Sequence, residues 1–220
     1  MLKMGIIGMG KMAAAHVGWI MANKEMKLVA ICEKNKERHE ELKKIYNVPV
    51  FFDADEFLRL DGLDMAVIVT TNDVHEILTI KALDAGKDVI VEKPMSINYE
   101  STLRMIKAAE KNKKQIFVHQ SSRWDRDFLH IKEIISQGLI GEILVLKTFV
   151  MYCDQGWPSW GIDGMENPWR IKKEFYGGML LDWGPHLVDQ TLQIMGKDPE
   201  SVYGILQCAL WSKEVDDHFL

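Results

Sequence analysis

Short, almost wholly apolar runs alternate with stretches of helical period through the first half of the chain. The runs predict strands at Leu2–Ile7, Lys27–Cys32, Met65–Val69, Asp88–Val91 and Ile116–His119. Between them the spacing predicts helices over Lys11–Ala22, Lys36–Tyr46, Val74–Ala85 and Tyr99–Lys111. Met65-Ala66-Val67-Ile68-Val69 carries no polar side chain, as expected when helices cover both faces of a parallel sheet. Strand and helix taking turns implies βαβ units, and so a doubly wound α/β fold.

Near Ser121 the rhythm changes. A helical segment, Arg123–Ser136, runs out at Gly138 and Gly141, and a strand-like run, Glu142–Tyr152, follows. A Trp/Gly/Pro/Asp-rich stretch then extends to about Lys173, before a helix near Leu181–Met195 and a second strand-like run, Val202–Leu210. This pattern predicts two domains, residues 1–121 and 122–220, the second built on an open mixed sheet. Two long strands rarely make a stable sheet alone, so the second domain is expected to be truncated.

Composition narrows the partners. Hydrophobic residues make up 47% of the 220 and charged residues 27%, an ordinary balance for a soluble globular protein. The net charge is −5, and the densest basic run, Lys34 to Lys44, is interleaved with Glu, so there is no stripe for nucleic acid. Cys32, Cys153 and Cys208 are far apart and show neither CxxC nor Cys/His ligand spacing. They are expected to be reduced thiols in a cytoplasmic protein, with no metal site. No apolar run approaches the about 20 residues needed to cross a bilayer. Lys3 before an apolar stretch superficially suggests a leader peptide, but Gly5, Gly8, Gly10 and Lys11 interrupt it, and a buried strand explains it better.

Gly8-Met9-Gly10-Lys11-Met12-Ala13 fits G-x-G-x-x-[GA] between the first strand and the first helix. Gly8 permits the tight turn, Gly10 leaves room for a pyrophosphate, and Ala13 allows close helix–strand packing. The first N–H groups of the helix, around Lys11 and Met12, would face the phosphates. This context makes the first domain a Rossmann-type dinucleotide site. Glu33 ends the second strand, where a carboxylate accepts from the adenosine ribose and repels a 2′-phosphate, favouring NAD over NADP. Lys34, Lys36 and Arg38 follow and could soften that preference. Thr70, Asn72 and His75 follow the Met65–Val69 strand at the edge where such sheets bind ligands. Asn72 or Asp73 could equally be a helix N-cap, with His75 satisfied locally. His16, in the first helix, is expected to pack rather than react.

Glu92-Lys93-Pro94 follows directly on the apolar run that ends at Val91, placing Glu92 and Lys93 at the same cofactor edge. Pro94 biases Lys93 to an extended backbone, and an ammonium there could hydrogen-bond a reacting oxygen. Gly177-Gly178-Met179-Leu180-Leu181-Asp182-Trp183-Gly184-Pro185-His186 forms a second cluster. Proline is tolerated in a helix's first turn, so this helix should begin near Leu181 or Asp182. Asp182 and His186 then share a face, with Asp189 further along it. Alcohol oxidation requires a base of pKa near 7 to take the hydroxyl proton, a role suited to histidine.

Taken together, GMGKMA, EKP, RWDRDF…GLIGEI and GGMLLDWGPHLVD resemble the Gfo/Idh/MocA family of oxidoreductases, over Leu2 to about Leu210. The resemblance implies an N-terminal Rossmann domain and a C-terminal α/β domain whose open sheet often mediates homo-oligomerisation. It implies hydride transfer between NAD or NADP and a sugar, polyol or related hydroxy compound. Lys93 would assist proton transfer, His186 would be general acid/base, and Asp182 would bind or orient substrate. Arg123, Trp169 and Arg170 are further substrate-side candidates. Thr71 replaces the usual proline of the TPN-like turn, and Arg126 or its neighbours a second one. Alternatives are an NAD-dependent glycoside hydrolase of the same family, or a cofactor-binding inactive fragment or regulatory protein.

Overall fold

The computed structural model describes residues 1–151, 157–158 and 168–220. Cys153, Tyr152 and part of the Trp-rich stretch lie outside the described residues. The described residues divide into two compact units, the first over residues 1–119 and the second over residues 120–151, 157–158 and 168–220.

The first unit is a parallel sheet wrapped by helices. In chain order it contains β1 (Leu2–Ile7), α1 (Lys11–Ala22), β2 (Met26–Cys32), α2 (His39–Tyr46), β3 (Val50–Phe51) and α3 (Ala54–Leu58). It continues with β4 (Met65–Ile68), α4 (His75–Asp84), β5 (Asp88–Glu92), α5 (Tyr99–Asn112) and β6 (Ile116–His119). The strand order is β3-β2-β1-β4-β5-β6, with every adjacent pair parallel. The order reverses beside β1, the switch point at which open α/β sheets bind ligands.

Side chains on a strand alternate between faces, and here both faces are dry. Ile7, Ala30, Ala66, Ile68, Val89 and Val91 pack with Phe57, Leu83 and Met105. Met4, Ile6, Ile31, Met65 and Val67 pack with Ala13, Val17 and Ile20 of α1. This double burial is why the strands read as continuous apolar runs. Several elements differ from the sequence expectation. The pattern did not predict β3 and α3: β3 is two residues long and exists by pairing with Ile31 and Cys32, a long-range contact with no local signature. The expected helix over Lys36–Tyr46 is a 3₁₀ turn at Lys36–Arg38 followed by α2, ending at Asn47 in the left-handed region.

The second unit contains α6 (Arg126–Ser136), α7 (Met179–Met195) and a two-stranded antiparallel ladder, β7 (Leu206–Gln207) with β8 (His218–Phe219). The strand-like run Glu142–Tyr152 forms no strand among the described residues, and Val202–Leu210 contributes only β7. An extended run becomes a strand only when another backbone satisfies its N–H and C=O groups. Leu144, Val145, Phe149 and Met151 are accordingly exposed. α7 begins at Met179, earlier than Pro185 suggested, and Pro185 lies inside it. Its start is fixed from outside: Met179 N–H donates to the Asp216 carbonyl at 2.9 Å, and Leu180 N–H to Asp216 Oδ2 at 2.7 Å. Gly178 makes this possible, since its φ is +115° and a Cβ would lie 2.4 Å from Asp216 Oδ1. No helix among the described residues is long and apolar enough to cross a membrane.

Candidate functional site

Each unit carries one part of the predicted chemistry. In the first, β1 delivers its chain into Gly8, whose φ of +90° and 2.3 Å Cβ approach to the Val69 carbonyl admit only glycine without strain. Gly10 is the cap of α1, and a Cβ there would meet nothing within 4 Å. No side chain caps α1 and its first turn holds no acidic residue. Its leading N–H groups, near Lys11 and Met12, therefore form an anion-binding end beside open space, which fits a dinucleotide pyrophosphate.

Glu33 follows β2 directly and is tied to this corner. Its Oε2 accepts from the Met9 N–H at 3.1 Å and its Oε1 from the Asn35 N–H at 2.8 Å. Arg38 Nη1 donates to the Met9 carbonyl at 2.8 Å and lies 3.4 Å from Glu33 Oε2. Of the three basic residues that follow Glu33, Arg38 is thus the one at the glycine corner, while the Lys36 ammonium sits over the Phe52 ring at 4.3 Å.

Beyond β4, Asn72 is buried inside a 3₁₀ turn, Asn72–Val74, and caps neither that turn nor α4 with its side chain. His75 is fully buried. Its Nδ1 is 2.8 Å from the Pro94 carbonyl and its Nε2 3.3 Å from the Thr70 carbonyl. Burial pushes its pKa below the ordinary value, so the ring is neutral and one nitrogen donates, by distance Nδ1. His75 therefore ties the start of α4 to the Lys93–Pro94 turn instead of presenting its ring to solvent. The Lys93–Pro94 peptide is cis.

Glu92 is also engaged within the protein. Its Oε1 lies 2.8 Å from His16 Nε2 and 2.9 Å from His119 Nδ1, and its Oε2 accepts from the Lys93 N–H at 3.2 Å. Burial alone would raise its pKa, but hydrogen bonds and charge from His119 and His16 outweigh that and hold it at about 2. His16 is buried, as expected, yet its partners come from β5 and β6. Positions so far apart in sequence gave no local signal.

In the second unit, Asp182 Oδ2 accepts from Trp157 Nε1 at 2.8 Å and from Arg170 Nε at 3.1 Å, all three residues being buried. The Arg170 guanidinium also stacks over Trp169 at 4.7 Å. Asp182 thus anchors the 3₁₀ turn Trp169–Ile171 to α7. Its expected role at the substrate therefore comes with a structural one that the sequence did not show. His186 is half-buried beside Trp183, their ring centroids 5.6 Å apart. Arg123 forms a fork with Asp189, its Nε 2.9 Å from Oδ2, and this pair holds Asp189 below its usual pKa. Trp157 and Asp216 did not figure in the sequence reading; each acts through a contact distant in sequence.

The NAD-binding Rossmann-fold profile of the GFO/IDH/MocA oxidoreductases matches residues 2–120, and the profile of their C-terminal domain matches residues 128–220. The chain belongs to the Gfo/Idh/MocA family. Over 219 residues it is 27% identical to a scyllo-inositol 2-dehydrogenase (NADP(+)) of Bacillus subtilis, covering 99% of this chain and 58% of that protein. An NAD-binding protein from Listeria innocua superposes with a TM-score of 0.88 at 34% identity, over 99% of this chain and 61% of that one. A Bordetella pertussis WlbA dehydrogenase, solved with NADH and UDP-GlcNAcA, gives 0.82 at 27% identity, over 99% and 65%. The chain therefore spans less than two thirds of the length of each of these Gfo/Idh/MocA relatives.

Proposed function

We propose that residues 1–121 bind NAD and that residues 122–220 belong to the substrate and oligomerisation domain of an oxidoreductase acting on a sugar, polyol or related hydroxy compound. The observation that carries this reading is the glycine corner: an open cradle at Gly10, an uncapped helix end, and a Glu33 carboxylate anchored to the Met9 amide. The inositol dehydrogenase and the UDP-sugar-bound WlbA relative support a polyhydroxylated substrate. Glu33 supports NAD over NADP, since its charge repels a 2′-phosphate.

A bound nicotinamide supplies the hydride acceptor or donor. The chain's own groups handle the proton and the oxygen. In oxidation the carbinol carbon loses hydride while His186 takes the hydroxyl proton, leaving a carbonyl; in reduction His186 returns it. The Lys93 ammonium hydrogen-bonds the reacting oxygen. Asp182, Arg170 and Trp169 hold the backbone around His186. The unbridged thiols Cys32 and Cys208 support a cytoplasmic setting. Exposed Leu144, Val145, Phe149 and Met151 support homo-oligomerisation through the second unit.

The test is NADH formation across a polyol and sugar panel by the chain in its full reading frame. Lys93→Ala and His186→Ala should each lower turnover about 10²–10⁴-fold while NAD still binds. Unchanged turnover in both variants refutes the catalytic roles, and glycoside cleavage without net NADH release would move the protein to the hydrolase class.

A further inference from the structure

We propose that His16, Glu92 and His119 form a binding site for a divalent transition-metal ion of the Zn²⁺ type. The site lies wholly within the first unit. α1, the end of β5 and the end of β6 each contribute one ligand, so the set is held by the sheet rather than by loops. Two imidazoles and one carboxylate are a common donor set for Zn²⁺ and similar ions. His16 Nε2, Glu92 Oε1 and His119 Nδ1 all lie within 4.8 Å of one another.

The spacing is close to what an ion requires. Metal–ligand bonds of about 2.0–2.2 Å in a tetrahedron set neighbouring ligand atoms about 3.3 Å apart. The present nitrogen–oxygen distances of 2.8 and 2.9 Å need to open by about half an ångström. The outer shell is already in place: Glu92 Oε2 is anchored by the Lys93 N–H, leaving Oε1 for the ion. Trp19 packs edge-on to His16 at 5.1 Å, and the rings of His16 and His119 are 4.4 Å apart.

Access comes from the side of Trp19 and His119. Trp19 is 50% exposed and the His119 side chain 22%, whereas His16 and Glu92 are buried. On binding, each imidazole must present a lone pair to the ion from the nitrogen that now faces Glu92. A protonated imidazole must release its proton, so affinity falls as pH drops.

The experiment is calorimetric titration of the chelator-stripped chain with Zn²⁺, with a parallel Co²⁺ titration followed by visible absorption. One equivalent should bind, raise the unfolding temperature, and give the intense bands of four-coordinate Co²⁺. His119→Gln can still donate to Glu92, so the fold is kept. It should nevertheless weaken binding beyond the about 10–100-fold that outer-shell changes cost, and abolish the Co²⁺ bands. His16→Gln should do the same, and if that buried change disturbs the far-ultraviolet circular dichroism, His119→Gln decides alone. His130→Gln, which alters the exposed His130–Glu133 pair, should leave binding unchanged. Absence of stoichiometric binding, or equal affinity in wild type and His119→Gln, overturns the site.

Discussion

The Met9 amide donates to Glu33 Oε2 at 3.1 Å, joining the glycine corner after β1 to the carboxylate that follows β2. The contact holds the Glu33 carboxylate at the glycine corner, with Arg38 leaning on the same oxygen at 3.4 Å. Glu33→Gln keeps an acceptor for Met9 but removes the charge that repels a 2′-phosphate and partners Arg38. The NAD-to-NADP affinity ratio should fall by at least about tenfold, or about 1.4 kcal/mol. Fluorescence titration with both coenzymes measures this. Tighter NADP binding by the wild type would refute the assigned preference.

Gly8 and Gly10 are two residues apart and should behave differently. Gly8→Ala forces a side chain into a φ of +90° and against the Val69 carbonyl, so the Rossmann unit itself should lose stability. Gly10→Ala meets nothing within 4 Å, so the unfolding midpoint should barely move. Its methyl group would instead fill the space left for the pyrophosphate, and coenzyme affinity should drop at least about tenfold. Denaturation curves paired with coenzyme titrations separate the two effects. Normal coenzyme binding by Gly10→Ala would remove the cradle.

What the sequence made legible was whatever depends on short range. β1, α1 and β6 lie at their predicted bounds because apolar runs, helical period and glycine punctuation are local signals. The place of Glu33 directly after β2 was legible for the same reason. What escaped depends on a partner elsewhere in the chain. β3 requires β2, the start of α7 requires Asp216, and Glu92 requires His16 and His119. Asp182 read as a substrate-side residue only, because its partners Trp157 and Arg170 lie 25 and 12 residues away in sequence. The buried guanidinium of Arg170 carries no sequence mark that it would share that carboxylate.

That sharing makes Asp182 a structural residue as well as a candidate for chemistry. Asp182→Ala would leave Arg170 and Trp157 Nε1 buried without this acceptor, at a cost of about 3–5 kcal/mol. Asp182→Asn retains an oxygen for Trp157 but loses the ion pair, and should be intermediate. Urea denaturation followed by tryptophan fluorescence would rank the three proteins. An Asp182→Ala midpoint equal to wild type would mean that the carboxylate is not holding the unit together.

His75 gives the fold a pH dependence whose sign follows from its burial. Its folded pKa lies below the unfolded value of about 6.5, because burial disfavours the charged ring more than the Pro94 and Thr70 carbonyls favour it. Between those two values the unfolded chain binds the extra proton, so stability is fully present above about pH 6.5 and declines as pH falls toward the folded pKa. His75→Gln can still donate to the Pro94 carbonyl but cannot titrate. It should cost some stability near neutrality, where the imidazole fits better, and less at about pH 5.5, where wild type has begun to lose this contribution. Urea midpoints for both proteins on either side of histidine's ordinary pKa give the comparison. A gap that stays constant, or widens on acidification, would mean that His75 is not held neutral in the fold.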